Sequence, residues 1–346
     1  MNILVTGAAG FVGSVVCDAL VRANHRVIAY DDLSRGHRRA VPAGIELVVS
    51  DVADRAALDR LFETQRADAV MHFAALIEAG ESMQVPERYF RNNISNTLTL
   101  LEAMLAHGIE RFVFSSTAAV YGEPEQMPLE ESTPLRPTNA YGESKLVVER
   151  MLDWFHRIHG LRYASLRYFN AAGAVGDLGE DHRHESHLIP LALKVALGQR
   201  DYLAIYGTDY PTPDGTCVRD YIHVADLATA HLLALDALGQ QARLVYNIGN
   251  GRGFSVRQVV EVARRVTGHP IPVVEMSRRP GDPAILVANS EKIRRELKWR
   301  PKYVELETIV ASAWEWHRRH PNGYAEDQRA IPALSSQTVL TESRRI

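Results

Sequence analysis

The chain has 346 residues, 46% hydrophobic and 23% charged, with a formal net charge of −3. This is the composition of a soluble globular protein with core enough for two domains or lobes, and it offers no basic surface for nucleic acid or an anionic membrane. The N-terminus, M-N-I-L-V-T-G, lacks a basic segment or long apolar run, no later stretch could span a bilayer, and the two cysteines, Cys17 and Cys217, fit no metal spacing and point to a reducing, cytoplasmic setting.

Residues 2–6 read as a short buried strand, followed by a Gly-rich turn and an apolar-periodic helix from about Phe11 to Ala23. Further strands are predicted at 26–31, 45–49, 68–73, 111–115 and 163–169, with helices near 54–64, 86–107 and 139–159 between the later ones. Apolar strands alternating with helices predict an α/β fold: a doubly wound, Rossmann-type parallel sheet covered on both faces. The helix over 139–159 has Thr138 or Asn139 as its cap, an apolar stripe of Val147, Met151, Trp154, Phe155 and Ile158, and Gly160 as its stop. After about residue 175 the texture changes to a His-rich loop, a helix near 188–198, the turn-dense Y-G-T-D-Y-P-T-P-D-G-T, and shorter mixed elements. The expected division is a dinucleotide-binding domain over 1–178, a smaller mixed α/β C-terminal substrate lobe over 179–320 with the chain crossing back in places, and a loosely held tail over 321–346.

T-G-A-A-G-F-V-G places Gly7, Gly10 and Gly13 between a strand and a helix, where they permit a tight turn and bring backbone N–H groups to a pyrophosphate. Asp31 ends the second strand, where a carboxylate accepts from ribose hydroxyls and repels a 2′-phosphate, favouring NAD; Arg35, Arg38 and Arg39 pull toward NADP. Tyr141 and Lys145 lie one helical turn apart at a helix start. A free phenol titrates near ~10, and bringing it close to neutrality takes about 4 kcal/mol, within reach of two nearby cations in a partly dry cleft.

With S-S-T at 115–117, Y-G-E-S-K at 141–145, F-A-A at 73–75, N-N at 92–93 and R-Y-F-N at 167–170, the chain resembles the extended short-chain dehydrogenase/reductase family over roughly residues 1–320. The resemblance implies that Tyr141 is the acid/base, Lys145 its activator and a holder of the nicotinamide ribose, and Thr117 a hydrogen-bond partner of the substrate hydroxyl. It also implies NAD contacts from Gly7, Gly10, Phe11, Val12, Gly13, Asp31, Asp32, Leu33, Ser34, Asp51, Val52, Phe73, Ala74, Ala75, Asn92, Lys145 and Phe169.

Within that family the chain is most similar to the nucleotide-sugar 4-epimerases, through H-F-A-A-L-I-E-A-G-E-S at 72–82, S-S-T-A-A-V-Y-G at 115–122, L-A-I-Y-G-T-D-Y-P-T-P-D-G-T-C-V-R-D-Y-I-H-V-A-D-L at 203–227 and R-R-P-G-D at 278–282. The implied reaction is NAD-dependent 4-epimerisation of a UDP-hexose, interconverting UDP-glucose and UDP-galactose through a transient 4-keto sugar; the alternative is a 4-epimerase or oxidoreductase acting on another nucleotide sugar. Arg219 and Arg279 are expected at the diphosphate, Tyr206 on the uracil, Asp282 at the uridine ribose, and Asn170 and Leu188 near the sugar and diphosphate. The related dehydratases carry Asp-Glu after the Ser/Thr; here those positions are Ala118 and Ala119, which cannot do that acid/base chemistry. Where many epimerases have a lysine near the cofactor, this chain has Ile77, followed by Glu78, and Leu286 takes the sugar-wall position that varies in bulk.

His182, His184, Glu185 and His187 lack the H-E-x-x-H spacing, and the mechanism needs no Lewis acid, so they read as a solvated loop without a metal, with His187 near the substrate. By resemblance the helices at 86–107 and 139–159 are expected to pair two copies in a homodimer.

Overall fold

The computed structural model describes residues 1–279 and 281–325. In chain order the first half runs β1 (Asn2–Thr6), α1 (Phe11–Arg22), β2 (Arg26–Asp31), β3 (Leu47–Val49), α2 (Arg55–Thr64), β4 (Ala69–His72), the short α3 (Ala79–Ser82) and α4 (Pro86–Tyr89), α5 (Asn96–Ala106), β5 (Arg111–Thr117), α6 (Ala140–His159) and β6 (Arg162–Tyr168). There follow β7 (Asn170–Ala172), α7 (Leu188–Ala196), β8 (Leu203–Tyr206), β9 (Val218–His223), α8 (Val224–Ala237), β10 (Arg243–Ile248), β11 (Gly253–Ser255), α9 (Val256–Thr267), β12 (Val273–Met276), β13 (Ile285–Leu286), α10 (Glu291–Glu296) and α11 (Leu306–Arg319).

Seven strands pair in parallel in the order β10-β6-β5-β4-β1-β2-β3. Their side chains divide by the two-residue period of a strand. Ile3, Val5, Ala29, Met71 and Val113 face α1 and α8, whereas Leu4, Ile28, Tyr30, Val70, Phe112 and Phe114 face α2, α5 and α6. Covering both faces is what makes the central strands largely apolar, and each buried Leu or Phe contributes ~1.5–3 kcal/mol of burial. The strand order reverses at β1, so the crevice beyond Thr6, Asp31 and His72 is the topological switch point where such sheets bind ligands.

The second lobe gathers α7, α9 and α11 around a separate core of Ile189, Leu193, Val259, Val260, Ile309 and Val310. A four-stranded sheet of β11, β9, β13 and β7, with the pair β12-β8, completes it. Between these pieces the chain returns to the first sheet twice: α8 packs on α1, and β10 adds the outermost strand beside β6.

Three expectations are revised. The helix expected over 86–107 is broken by a π-helical turn at Phe90–Ser95 between α4 and α5. The apolar stripe expected on α6 is only partly its core face: Met151 and Phe155 pack on the core beside the fully buried Val148 and Leu152, whereas Trp154 and Ile158 are 61% and 67% exposed. Of the tail expected over 321–346, residues 326–346 lie outside the described residues, and Tyr324 is held, buried against Trp316 and accepting from the Gly179 N–H at 2.9 Å. Among the described residues no helix is long and apolar enough to cross a membrane.

Candidate active site

The β1–α1 turn is built for close backbone approach. A Cβ on Gly13 would lie 2.1 Å from the Gly7 carbonyl oxygen, and one on Gly7, at φ +69°, would lie 2.5 Å from the Ala74 nitrogen. Gly7 thus lets Phe73, Ala74 and Ala75 pass directly against the turn. Gly10 is the N-cap of α1 and no side chain caps it, so the first turn, with Phe11 and Val12, presents its N–H groups to a ligand. Asp31 stands beside this turn, accepting from Ala9 N at 3.0 Å and Leu33 N at 2.8 Å. Burial raises its pKa, partly offset by those two donors. Asp32 accepts from the N–H and hydroxyl of Ser34 at 2.9 and 2.7 Å, which fixes the loop after β2. Asp51 and Val52 follow the end of β3. Arg35 is drawn away from any 2′-phosphate role, since Glu78 and Glu81 each lie 3.5 Å from its guanidinium. The cradle, the uncapped helix end and the ribose-facing carboxylate fit an NAD-type dinucleotide.

Thr117 ends β5 and Tyr141 opens α6, which Asn139 caps by accepting from Gly142 N at 2.8 Å. A Cβ on Gly142 would lie 2.6 Å from the Ala119 carbonyl oxygen, so glycine lets the start of α6 press against the end of β5. The Thr117 hydroxyl oxygen accepts from Ala119 N at 3.1 Å, leaving its proton for the Tyr141 phenol, with which it hydrogen-bonds. Burial pushes the phenol pKa up, neighbouring Tyr168 and Glu78 add to that, and the Thr117 hydrogen bond works against them.

Lys145, expected to act on the phenol together with a nicotinamide cation, lies buried behind it. The Lys145 ammonium donates to the Ser115 carbonyl oxygen at 3.0 Å and stands 4.9 Å from the Phe114 ring centre, and burial pushes its own pKa down to about 7.

Sequence reasoning missed the polar frame behind these residues. Asn93, on the π turn and 2% exposed, donates to the Leu76 carbonyl at 3.0 Å and to Ser144 Oγ at 2.9 Å, and accepts from Leu76 N at 2.9 Å. Ser144 in turn donates to the Tyr141 carbonyl at 2.7 Å, and Ser82 accepts from Tyr141 N at 3.1 Å. Asn92, expected at the cofactor, donates to Asn93 at 3.0 Å. A second frame buries Arg167, whose guanidinium donates to both Glu149 oxygens, while Glu149 accepts from Ser116 Oγ at 2.6 Å. The N-N and R-Y-F-N motifs were the available signals; the partners Ser144 and Glu149 carry none of their own. Phe169 lies buried beside Ala118 and Leu146.

The substrate lobe brings four expected residues together in two pairs. The Arg279 guanidinium lies 3.9 Å from the Tyr206 ring centre, and the Arg219 guanidinium is 3.7 Å from Asp282 while donating to the Pro283 carbonyl at 2.8 Å. Leu286 lies opposite Arg219 across β13–β9 and packs against the cluster of Ala118, Tyr121 and Phe169, which ties this lobe to the end of β5. Asn170 begins β7, directly after β6, and Leu188 begins α7. The loop before α7 is solvated only in part: His184 is exposed and the His187 side chain is 39% exposed, whereas the Glu180 and Glu185 side chains are 6% and 3% exposed.

A doubly wound sheet with a glycine cradle at its switch point, and a Thr–Tyr–Lys group at the neighbouring strand end, defines a dinucleotide-dependent enzyme. Residues 3–249 match the model of the NAD dependent epimerase/dehydratase family, and the chain belongs to that family. It is 52% identical over 332 residues to UDP-glucose 4-epimerase of Halalkalibacterium halodurans, covering 95% of this chain and 99% of the relative. It is 53% identical over 322 residues to UDP-glucose 4-epimerase of Streptomyces lividans, covering 93% and 97%. Among solved structures, UDP-glucose 4-epimerase from Bifidobacterium longum in complex with NAD⁺ and UDP superposes with a TM-score of 0.90 at 38% identity, covering 93% of this chain and 100% of that one.

Proposed function

We propose that this enzyme interconverts UDP-glucose and UDP-galactose by NAD-dependent 4-epimerisation of the hexose. The observation that carries the reading is the Thr117–Tyr141 pair where β5 ends and α6 begins, on the same sheet as the glycine cradle, in a chain about half identical to epimerases along nearly its whole length. When bound, NAD supplies a reversible two-electron acceptor for the hydrogen on C4 of the sugar. Gly7, Gly10, Gly13 and Asp31 would hold it.

Tyr141 takes the proton from the 4-hydroxyl and returns it after the keto sugar has turned over in the pocket, and Thr117 orients that hydroxyl. Because burial raises the phenol pKa in the chain alone, its service as a base calls on the Lys145 ammonium and on the positive charge of an oxidised nicotinamide. Such a requirement couples proton removal to the presence of a cofactor able to accept the hydrogen. Arg219, Arg279, Tyr206 and Asp282 grip the nucleotide, so the hexose stays free to rotate. Ala118 and Ala119, at the start of the turn after β5, supply no acid or base for dehydration.

The test is incubation of purified protein with UDP-galactose and no added reductant. Formation of UDP-glucose with unchanged total NADH supports the reading; NADH accumulating in step with substrate loss overturns it. UDP-N-acetylglucosamine and a UDP-pentose offered in competition report whether the wall at Leu286 admits other sugars.

Two further readings accompany it. Two buried free thiols, Cys17 and Cys217, fit a reducing, cytoplasmic setting. Trp154 and Ile158 on α6 and Leu98 on α5 leave an apolar surface that fits pairing with a second copy of the chain.

A further inference from the structure

The loop joining the first domain to α7 concentrates four metal-capable side chains. Glu180, His182, Glu185 and His187 each present one ligand atom, and these atoms all lie within 4.8 Å of one another. His187 Nδ1 lies 3.0 Å from Glu180 Oε1 and 3.0 Å from Glu185 Oε1, and His182 Nε2 lies 3.3 Å from Glu180 Oε1. Two carboxylates are thus drawn onto one imidazole nitrogen, in side chains 6% and 3% exposed. Burying two like charges together is costly unless a cation or well-placed donors offset them.

The donors are incomplete. Glu185 Oε1 accepts from Ser186 N at 2.9 Å and His187 N at 2.8 Å, but its second oxygen, Oε2, is buried with no hydrogen-bond partner among the described residues. His317 of α11, 5% exposed, lies within electrostatic reach of both Glu180 and Glu185, and its Nε2 also has no hydrogen-bond partner among the described residues. Native interiors leave few such atoms, and each calls for an explanation.

We propose that Glu180, His182, Glu185 and His187 form a structural site for a divalent transition-metal ion, Zn²⁺ foremost. Two imidazoles and two carboxylates with no thiolate suit Zn²⁺, for which four protein ligands make a closed, non-catalytic site. The ion neutralises the two carboxylates and takes up the unpaired Glu185 oxygen. Its position gives it a task. His187 is the N-cap of α7 and Leu188 its first residue, so a cation here fixes the entry to that helix. The same segment is anchored on its other side by Tyr324 N donating to Asp181 at 2.9 Å and by Trp316 Nε1 donating to the Asp177 carbonyl at 3.0 Å.

The experiment uses untagged full-length protein, stripped with EDTA and dialysed, then titrated with Zn²⁺ by calorimetry and with Co²⁺ by visible absorption. The site requires one Zn²⁺ per chain, proton release on binding, d–d bands for Co²⁺ that Zn²⁺ bleaches, and affinity weakened at least ~10-fold in both Glu185→Gln and His182→Asn. Zinc-edge anomalous scattering from crystals of the wild-type protein locates the ion even if a variant fails to fold. No stoichiometric binding, equal affinity in wild type and both variants, or an anomalous peak away from these four side chains overturns the proposal.

Discussion

The Lys145 ammonium reaches from the second turn of α6 to the carbonyl oxygen of Ser115 on β5, at 3.0 Å, with the Phe114 ring 4.9 Å away. A cation in that position, 3% exposed, has lost most of its hydration, and burial takes its pKa from 10.5 to about 7. Between those values the unfolded chain binds a proton that the folded one does not, so stability rises with pH across pH 7 to 10.5. The expected slope from this one group is at most ~1.4 kcal/mol per pH unit. Urea unfolding of the wild type and of Lys145→Met at several pH values checks it; equal slopes in the two proteins would remove the argument.

Tyr141→Phe keeps the ring and its packing and removes only the proton-carrying oxygen. The expected loss in kcat is about 100- to 10,000-fold, with UDP affinity retained. Thr117→Ala, which removes the phenol's hydrogen-bond partner, is expected to lower kcat less. Steady-state rates alongside calorimetric UDP titrations separate these effects, and a Tyr141→Phe enzyme working at the wild-type rate would end the assignment.

In the proposed reaction Arg279 holds the diphosphate, the part of the substrate that does not change. A contact equal in ground and transition states sets KM and leaves kcat alone. Arg279→Ala is therefore expected to raise KM for the UDP-sugar ~10-fold or more, the worth of a charge-assisted hydrogen bond, with kcat nearly constant. A fall in kcat at unchanged KM would place Arg279 elsewhere in the mechanism.

Glu149 and Arg167 form a buried pair in which the guanidinium donates to both carboxylate oxygens. Glu149→Ala strands a buried positive charge, at a cost of about 3–5 kcal/mol. Replacing both residues by leucine is expected to recover a large part of that loss. Chemical denaturation of the two variants measures the difference, and a single substitution costing under ~1 kcal/mol would show the guanidinium reaching water.

Trp154 and Ile158 stand exposed on α6, one turn apart. The double substitution Trp154→Glu, Ile158→Glu is expected to leave a folded monomer at concentrations where the wild type sediments as a dimer. A wild type that is already monomeric would dispose of this reading.

The fold was legible because a parallel sheet buried on both faces writes itself as short apolar runs, and β2 falls on its predicted residues. The Thr117–Tyr141–Lys145 group was legible because its members belong to short motifs at a strand end and a helix start. What stayed hidden depends on partners distant in sequence. Nothing in the run Y-F-R-N-N-I-S announces a π turn, which closes only when Asn93 finds Leu76 and Ser144. The Ser115 carbonyl that accepts from the Lys145 ammonium was hidden for a related reason: a helical turn gives the side of α6, but not the partner on β5. Trp154 and Ile158 misled because the apolar stripe on α6 is wider than the face packed on the core, which takes Met151 and Phe155 and leaves these two outside.

The placement of β10 has a consequence for biosynthesis. Its partner β6 ends at Tyr168, yet β10 spans Arg243–Ile248, with much of the second lobe's chain in between. A nascent chain emerging from the ribosome therefore carries an open β6 border while some seventy further residues are made. Such an unpaired border invites mispairing with other chains. Released fragments ending near residue 175 should accordingly depend on chaperones more than fragments that extend past residue 250.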